Sequence, residues 1–411
     1  GAIDPATGGP ATTPGAPAAG TPGAPAGGGG GAAQPPAATG SCPDRQLQVP
    51  GDPYSPPCIA FSGDNGGATQ RGVTAEEIVV SVRELEGPTA AEIFADLSGE
   101  PVIDSREAVR DTLTALAEYF SDRFQFYGRR IRLEFYPGQG VGSSELLGAG
   151  QERALADATR VAQEIGAFAD VSAISTPYAN ALSRQGVVNI GAPYPPGDWY
   201  EDRRPFAWSP FPDGTTVVDS LAAWTSARLR GSPTVQYAGP ELNGRPRVYG
   251  VVGPENPEYQ SSGDRFGERL DVDVAVGLTY RLDIASMPNQ ASNIVAQLKD
   301  AGVTTVICAC DPVMLALGMA PKANEQGYNP EWVTGGLAFV EQDIVSQLID
   351  PRQWSRAFGL AFNAESEPIG RSYPRAAYRA MRPGGEPAFG VEEFYYQMYI
   401  LALGIQLAGP N

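Results

Sequence analysis

The sequence of 411 residues contains no histidine. It therefore lacks the most common general base, the most common metal ligand and the usual central member of a nucleophilic triad. Enzymes without histidine exist, but this absence favours a binding protein over an enzyme. We accordingly expect no metal site and no cofactor.

Positive charge is also scarce, because 29 lysine and arginine residues stand against 47 aspartate and glutamate residues. The resulting net charge of −18 repels phosphate backbones and anionic membrane surfaces, so nucleic acid is not an expected partner. The sequence has no run of about eighteen apolar residues, and no segment is predicted to span a bilayer. It starts at Gly1, and any export signal is expected to have been removed or left out.

Cysteine is limited to four residues, which form two close pairs along the sequence. Cys42 and Cys58 enclose a proline-rich loop, and a disulfide between them would contribute about 3 kcal/mol. Cys308 and Cys310 are two positions apart on a predicted strand, and a zinc site would need ligands that the sequence lacks. We predict a disulfide between the first pair and buried thiols in the second pair, with a second disulfide as the alternative. An even cysteine count is typical of exported proteins.

The first 40 residues are almost entirely glycine, alanine, proline and threonine. Such a segment cannot bury enough apolar surface to offset the entropy lost on ordering, so we predict a disordered tether. It is either a spacer that holds a globular head away from a cell envelope or a disordered end without such a role. Residues 41–70 form the loop that the first two cysteines bracket, and core-forming side chains become frequent only from residue 71.

Residues 291–339 alternate between helical and strand patterns. A helix with Ile294, Val295 and Leu298 on one face precedes the uncharged run VTTVICAC, which is typical of a strand buried on both sides in a parallel sheet. A second helical pattern opens at Asp311, and another strand follows it. This alternation predicts a doubly wound α/β fold, in which ligands bind beyond the carboxyl ends of the strands.

Loops that follow the predicted strands are therefore expected to line a cleft. They contain Glu86 after the first strand, Ser175, Thr176 and Tyr178 after the third strand at 171–174, and, further along, Tyr259, Asp311 and Phe339. Ser175 and Thr176 open a helical stretch whose free N–H groups favour an anion, although capping alone also explains hydroxyls there. The glycine-rich stretch at 138–150 has neither a GK[ST] ending nor a GxGxxG that opens into a helix, so we assign its glycines to turns.

The order of these segments resembles that of a known family. The segments are RGVTAEEIVVSV, QERALADATRVAQEIGAFADVSAISTPYANAL, PFAWSPFPD and QASNIVAQLKDAGVTTVICACDPV, in this order. Together they are similar to the type I periplasmic binding proteins, the branched-chain amino acid (Leu/Ile/Val) type of substrate-binding subunit of ABC importers. The resemblance extends from about residue 71 to residue 411.

The resemblance implies two doubly wound, Rossmann-like lobes that close on a small solute like a hinge. Lobe 1 would comprise residues 71–209 and 338–411, and lobe 2 residues 210–337. By position, Ser175 and Thr176 match the hydroxyl pair that holds a ligand carboxylate in the family. An acid on lobe 2 takes the ammonium group in the amino-acid binders, and Asp311 matches it only approximately. The other predicted ligand contacts are Tyr178, Trp208, Tyr259, Phe339 and Glu86.

The predicted function is that of an extracytoplasmic solute-binding protein. It would capture an amino acid, a small carboxylate or an amide and deliver it to the permease subunits of an ABC importer. The tether fits a place in the periplasm or at the outer face of the cell envelope, with an N-terminal lipid anchor outside this sequence. A sensory receptor ectodomain of the same fold is the first alternative, and a hydrolase with paired carboxylates is the second. Because the family continues through a third crossover, we also expect a chain that extends beyond Asn411.

Overall fold

Ten strands form two parallel five-stranded sheets in the described part of the chain. The computed structural model describes residues 46–52, 54–86, 105–146, 148–283, 285–362 and 372–411. These residues belong to one compact unit, Ala37–Asn411. The predicted tether at 1–40 and Cys42 lie outside the described residues. None of the described helices is both long and apolar enough to cross a membrane.

The first sheet has the strand order β2-β1-β3-β4-β5, with every neighbouring pair parallel, and we call it and its helices lobe 1. Its strands are β1 (Glu77–Glu86), β2 (Arg130–Val141), β3 (Ala169–Asp170), β4 (Val188–Ile190) and β5 (Ala207–Trp208). Its helices are Arg106–Arg123, Gly142–Leu146, Gln151–Arg160 with the π-helical turn Val161–Ile165, Thr176–Arg184, Gly197–Glu201, Tyr373–Met381 and Val391–Ala408.

The second sheet has the order β10-β9-β8-β6-β7, is also parallel throughout, and defines lobe 2. Its strands are β6 (Tyr249–Pro254), β7 (Val274–Tyr280), β8 (Thr305–Cys308), β9 (Glu331–Thr334) and β10 (Ala357–Gly359). Its helices are Gly214–Leu229, Gln260–Arg269 after the 3₁₀ turn Pro257–Tyr259, Met287–Asp300, Ala320–Glu325 after the π-helical turn Met314–Met319, Asp343–Ser346 after the 3₁₀ turn Leu337–Phe339, and Pro351–Trp354.

The long helix of lobe 1 shows how a periodic apolar face builds the core. Ser105 caps helix Arg106–Arg123, because its hydroxyl accepts the backbone N–H of Ala108 at 3.1 Å. The apolar face of this helix, which includes Leu113 and Leu116, is buried, and Phe120 on that face is fully enclosed. Its ring lies 5.0 Å from the ring of Tyr395 on the C-terminal helix. Burying such aromatic pairs stabilises the packing of the helix against its neighbours.

In lobe 2, strand β8 is buried at all four positions, as its uncharged run of residues predicts. Asp311 begins the next helical segment by accepting the backbone N–H groups of Val313 and Met314, each at 2.9 Å. A proline cannot donate to the helical ladder, and Pro321 stands in the first turn of helix Ala320–Glu325. The α-helix therefore starts afresh at Ala320, after the π-helical turn Met314–Met319.

Two sequence predictions on element boundaries are corrected. The predicted third strand at 171–174 lies in a loop, because only Ala169–Asp170 pair with β1 and β4. Residues 357–359 were assigned to lobe 1, but they pair with β9 in the second sheet. The ring of Phe358 packs there at 6.1 Å from the ring of Trp224. The chain therefore returns to lobe 1 between β10 and helix Tyr373–Met381, later than the predicted residue 338.

The prediction of buried thiols at the second cysteine pair is also wrong. Cys308 and Cys310 are buried, but they form a disulfide, with Cα atoms 4.9 Å apart. That separation is within the range that a disulfide spans. Cys58 is likewise disulfide-bonded. Its pairing with Cys42 stays a prediction, because Cys42 is outside the described residues.

Candidate functional site

The carboxyl edges of the two sheets face each other, since loops that follow strands of one lobe contact loops that follow strands of the other. The side chain of Thr176, after β3, lies near the hydroxyl of Tyr259, after β6, and lowers the pKa of that phenol, although burial raises it more. The backbone N–H of Ala338, after β9, donates to the hydroxyl of Tyr194, after β4, at 3.0 Å. We call this region the interlobe interface. It is the place where a doubly wound fold binds ligands.

Two further contacts cross the interlobe interface. The hydroxyl of Ser261 in lobe 2 donates to Asp198 in lobe 1 at 3.4 Å. Gly148 of lobe 1 lies against Glu258 of lobe 2, so that a Cβ atom at the glycine would collide with the glutamate carboxylate. Gly148 also has a φ of +81°, which favours glycine. A glycine at this position allows the two lobes to approach closely.

Three tyrosines bring neutral hydroxyls to the interlobe interface. Burial raises the pKa of Tyr194 and of Tyr259 to about 12. Burial is the largest cause that raises the pKa of Tyr200, and the proximity of Tyr259 and Tyr194 raises it further. Tyr200 therefore lies near both. Its hydroxyl donates to the carbonyl of Ala192. All three phenols are therefore protonated at neutral pH.

Ser175 lies at the start of helix Thr176–Arg184 but is only 2% exposed. Its hydroxyl donates to the carboxylate of Glu145 at 2.6 Å. The same carboxylate pairs with both terminal nitrogens of Arg83, one of them at 3.1 Å and the other closer. The hydroxyl that was predicted to hold a ligand carboxylate therefore holds a carboxylate of the chain itself.

Arg83 is surrounded by partners near the carboxyl end of β1. It donates to Asp157 at 3.2 Å, and its guanidinium stacks on the ring of Tyr178 at 3.6 Å from the ring centre. Burial alone would lower the pKa of Arg83, but the hydrogen bond and the charge of Glu145 raise it above its ordinary value. The guanidinium therefore stays charged in the interior of lobe 1.

Glycines in β2 make room for this buried ion pair. A Cβ atom at Gly138 would collide with the side chain of Arg83, and one at Gly140 would collide with Glu145. The backbone N–H of Gly140 also donates to Asp157 at 3.2 Å. The assignment of these glycines to turns is thus corrected, because they belong to a strand that passes close to charged side chains.

Tyr178 is fully buried behind Ser175. Its hydroxyl donates to Asp170 at 2.9 Å and lies 2.6 Å from the hydroxyl of Tyr136. Asp170 accepts a further hydrogen bond from Ser81 at 2.6 Å. Burial raises the pKa of Asp170, although the hydrogen bonds from these hydroxyls oppose that shift. The Tyr178 hydroxyl is committed to this network within lobe 1 and does not reach lobe 2.

Asp311 lies at the edge of lobe 2 beside Tyr259, whose pKa its charge raises. One carboxylate oxygen accepts the two backbone N–H groups that begin the following helical segment. The other accepts the hydroxyl of Tyr280 at 2.7 Å. These three hydrogen bonds hold the loop after β8, so capping is the role that the structure shows for Asp311.

Of the remaining predicted contacts, only the side chain of Trp208 is described by the structure. Trp208 is 47% exposed, and its indole N–H donates back along the chain to the carbonyl of Pro205 at 2.8 Å. Glu86 ends β1 and Phe339 ends a 3₁₀ turn. The side chains of these two residues are outside what the structure describes.

No protein-family model matches the chain, and no curated protein matches it in sequence. Solved structures with a similar fold exist. One is the branched-chain amino acid transporter substrate-binding protein of Streptococcus pneumoniae in complex with isoleucine, at 12% identity and a TM-score of 0.52, covering 80% of this chain and 83% of that one. Another is a solute-binding protein of an ABC transporter from R. palustris in complex with 4-hydroxybenzoate, at 12% identity and a TM-score of 0.52, covering 82% of each chain.

A fatty acid ABC transporter substrate-binding protein from Thermomonospora curvata is similar to the same degree, at 15% identity and a TM-score of 0.52, covering 84% of this chain and 80% of that one. The chain has the type I periplasmic binding protein fold. The predicted pair of doubly wound lobes is thereby confirmed. At these identities the similarity shows the fold, and it does not identify the residues of the site.

The sequence analysis did not identify an acidic residue that lies close to Tyr194. Glu393 stands in the first turn of helix Val391–Ala408, and its charge raises the pKa of Tyr194. Burial raises the pKa of Glu393 itself to about 7. One turn further on, Gln397 is fully buried, and its side-chain oxygen accepts no hydrogen bond from the described residues. The signal in the sequence is the spacing of Glu393 and Gln397, two polar residues four apart on a helix most of whose residues are apolar.

Proposed function

We propose that this chain is an extracytoplasmic solute-binding protein that holds a small polar metabolite between its lobes for an ABC importer. The metabolite is released unchanged, so the chain has no enzymatic activity. Its partners would be the solute and the permease subunits of the importer. An anchor at the N-terminal end of the tether would keep it at the outer face of the cell envelope or in the periplasm.

The observation that carries this proposal is the contact between polar side chains of two separate sheets at their carboxyl edges. Thr176 reaches Tyr259 across the interlobe interface, and Tyr194 reaches the backbone of Ala338. These residues follow four different strands, and none of them belongs to a hydrophobic core cluster. Hydroxyls that bridge two lobes can exchange these contacts for hydrogen bonds to a solute.

The solutes named for the similar structures are isoleucine, 4-hydroxybenzoate and fatty acid. They differ in size and charge, so the shared fold does not identify the solute of this chain. Thr176, Tyr194 and Tyr259 are the residues that we propose to contact it. Asp311 would hold the loop after β8 beside Tyr259, on the side of Tyr259 away from the solute.

Calorimetric titration with amino acids, small carboxylates and amides tests the proposal. A bound solute should raise the melting temperature and should be recovered chemically unchanged after release. The importer role is tested separately, by whether the loaded protein stimulates ATP hydrolysis by the permease and ATPase encoded beside it. Failure of every solute class to bind would contradict the proposal.

A glycine substitution tests whether binding needs the two lobes to approach each other. Gly148→Phe places a ring against Glu258 and should weaken solute binding by roughly tenfold or more, because lobe closure is blocked. Gly166→Phe is the matched control, since Gly166 has a similar φ of +68° but nothing within 4 Å of its Cβ position. Equal losses of affinity in the two variants would show that backbone strain, and not closure, is responsible.

A further inference from the structure

The surroundings of Ser175 form a complete anion-binding site. Ser175 precedes a nine-residue helix, and its hydroxyl does not cap that helix. The hydroxyl is directed at Glu145 instead, next to the guanidinium of Arg83. A hydroxyl, a guanidinium and a helix N-terminus are together the groups that bind carboxylates and phosphates.

The anion in this site belongs to the chain. Glu145 comes from the short helix Gly142–Leu146, 30 positions before Ser175. It is 1% exposed and enters the site from this separate helix, as a ligand would. Its two oxygens accept hydrogen bonds from both terminal nitrogens of Arg83, and one of them also accepts the Ser175 hydroxyl.

We propose that Glu145 occupies the position that a solute carboxylate would otherwise take. By occupying it, Glu145 determines the class of solute that lobe 1 accepts. Because Glu145 fills the site at Ser175 and Arg83, the group of the solute that faces this site is neutral or cationic, such as an amide or an ammonium. This inference rests on the proposed solute-binding function and narrows its three candidate classes. Free carboxylates are disfavoured at this position.

Electrostatics supports the same conclusion. Arg83 pairs with two carboxylates, those of Glu145 and Asp157, and all three side chains are at most 1% exposed. The group therefore carries a formal charge of −1, from one cation and two anions. A second anion beside it would be repelled at low effective dielectric constant. A neutral or positively charged group would not be.

Chemical rescue tests the proposal without knowledge of the solute. Glu145→Ala vacates the site, leaves Arg83 unpaired on that side, and should lower the melting temperature by about 5–10 °C. Sodium formate should restore a large part of that loss, with sodium chloride at equal ionic strength as the control. The wild type should not respond to formate. Glu145→Ser serves the same purpose if the alanine variant does not fold.

Two variants control the rescue. Glu145→Gln keeps the side-chain volume and leaves no room for formate, so its melting temperature should not depend on formate. In the double variant Arg83→Met with Glu145→Ala the guanidinium is missing, and rescue should be lost. Absence of rescue in the single alanine and serine variants, or tighter wild-type binding of a carboxylate than of its amide, would overturn the proposal. Rescue concerns lobe 1 alone, so it would succeed even if no solute bound between the lobes.

Discussion

Two glutamates enclosed by the protein, Glu331 and Glu393, differ in their hydrogen-bond partners and in the direction in which their pKa values are shifted. Glu331 begins β9 and is fully buried. It accepts hydrogen bonds from Arg247 at 3.0 Å and from Thr305 at 2.8 Å, and two backbone N–H groups complete its partners. Burial alone would raise the pKa of Glu331, but these hydrogen bonds lower it below the ordinary value.

Glu393 is the opposite case. No hydrogen bond to its carboxylate is seen among the described residues, and burial raises its pKa to about 7. Glu331 lies at the amino end of a strand in lobe 2, far along the sheet from the interlobe interface, whereas Glu393 lies close to Tyr194 within that interface. The comparison indicates that Glu331, which has a full set of hydrogen-bond donors, stabilises the fold. Glu393 has no such donors among the described residues and lies where a solute is expected.

Removing the partner of Glu331 should have the largest effect. Arg247→Met leaves a buried carboxylate without its cation, and we expect the free energy of unfolding to fall by about 3–5 kcal/mol. Denaturant titration measures this loss. Solute affinity of the folded fraction should not change, because the pair is remote from the interlobe interface.

A surface ion pair provides the control for that variant. Arg281 pairs with Glu255 at 2.6 Å, but its side chain is 78% exposed. Arg281→Met should therefore destabilise the protein far less than Arg247→Met does. A similar loss in the two arginine variants would show that burial does not distinguish these ion pairs.

Glu393→Gln should act in the opposite direction to Arg247→Met and stabilise the protein. The pKa of Glu393 is raised from 4.5 in the unfolded chain to about 7 in the folded one. Between these values the unfolded state has lost the proton that the folded state retains, so the contribution of Glu393 to stability falls as the pH rises. One pKa unit corresponds to about 1.4 kcal/mol, and because Glu393 is not completely enclosed we expect a gain of about 1–2 kcal/mol at high pH.

The measurement is the difference in unfolding free energy between Glu393→Gln and the wild type at several pH values. The difference should be small near pH 4.5, grow up to a pH slightly above 7, and stay constant beyond it. Glu268→Gln, at an exposed position, should show no such trend. A flat difference for the Glu393 variant would mean that this acid titrates normally and that the comparison with Glu331 does not hold.

Local patterns in the sequence were sufficient to predict a doubly wound α/β layout, and the family resemblance implied that it would be divided into two lobes. β8 could be recognised because all four of its residues are buried and apolar or small, and the helix before it because its apolar residues recur with helical spacing. The three-residue strand β10 could not be assigned to a lobe, because a strand this short shows no period. Its place depends on pairing with β9, which is a tertiary contact.

The site was predicted less well, for a related physical reason. Thr176 and Tyr259 follow strand ends, where the general rule for parallel sheets predicts ligand contacts, and their side chains lie near each other at the interlobe interface. The role of Ser175 depends on Glu145, and the partners of Arg83 lie 62 and 74 positions away in sequence. Whether a serine hydroxyl meets a ligand or a side chain of the same chain depends on such distant contacts, which no local spacing reveals.

The smallest expected effect is that of Gln397→Leu, at one of two buried glutamines that repeat the contrast between the two glutamates. Gln353 donates to Tyr328, Asn324 and Asn329 and accepts from Trp332, so its polar atoms are satisfied. Within the described part of the chain, Gln397 donates to the carbonyl of Ile190 at 3.2 Å, and no group there donates to its side-chain oxygen.

Gln397→Leu exchanges one weak hydrogen bond for the removal of an unsatisfied oxygen, and these effects nearly cancel, so we expect a change within about 1 kcal/mol. Gln353→Leu leaves several groups without partners and should cost about 2–3 kcal/mol. Thermal or denaturant unfolding of both variants measures the contrast. A loss at Gln397 as large as that at Gln353 would mean that its oxygen has a partner in solution, such as a bound water, and that Gln397 is as fully hydrogen-bonded as Gln353.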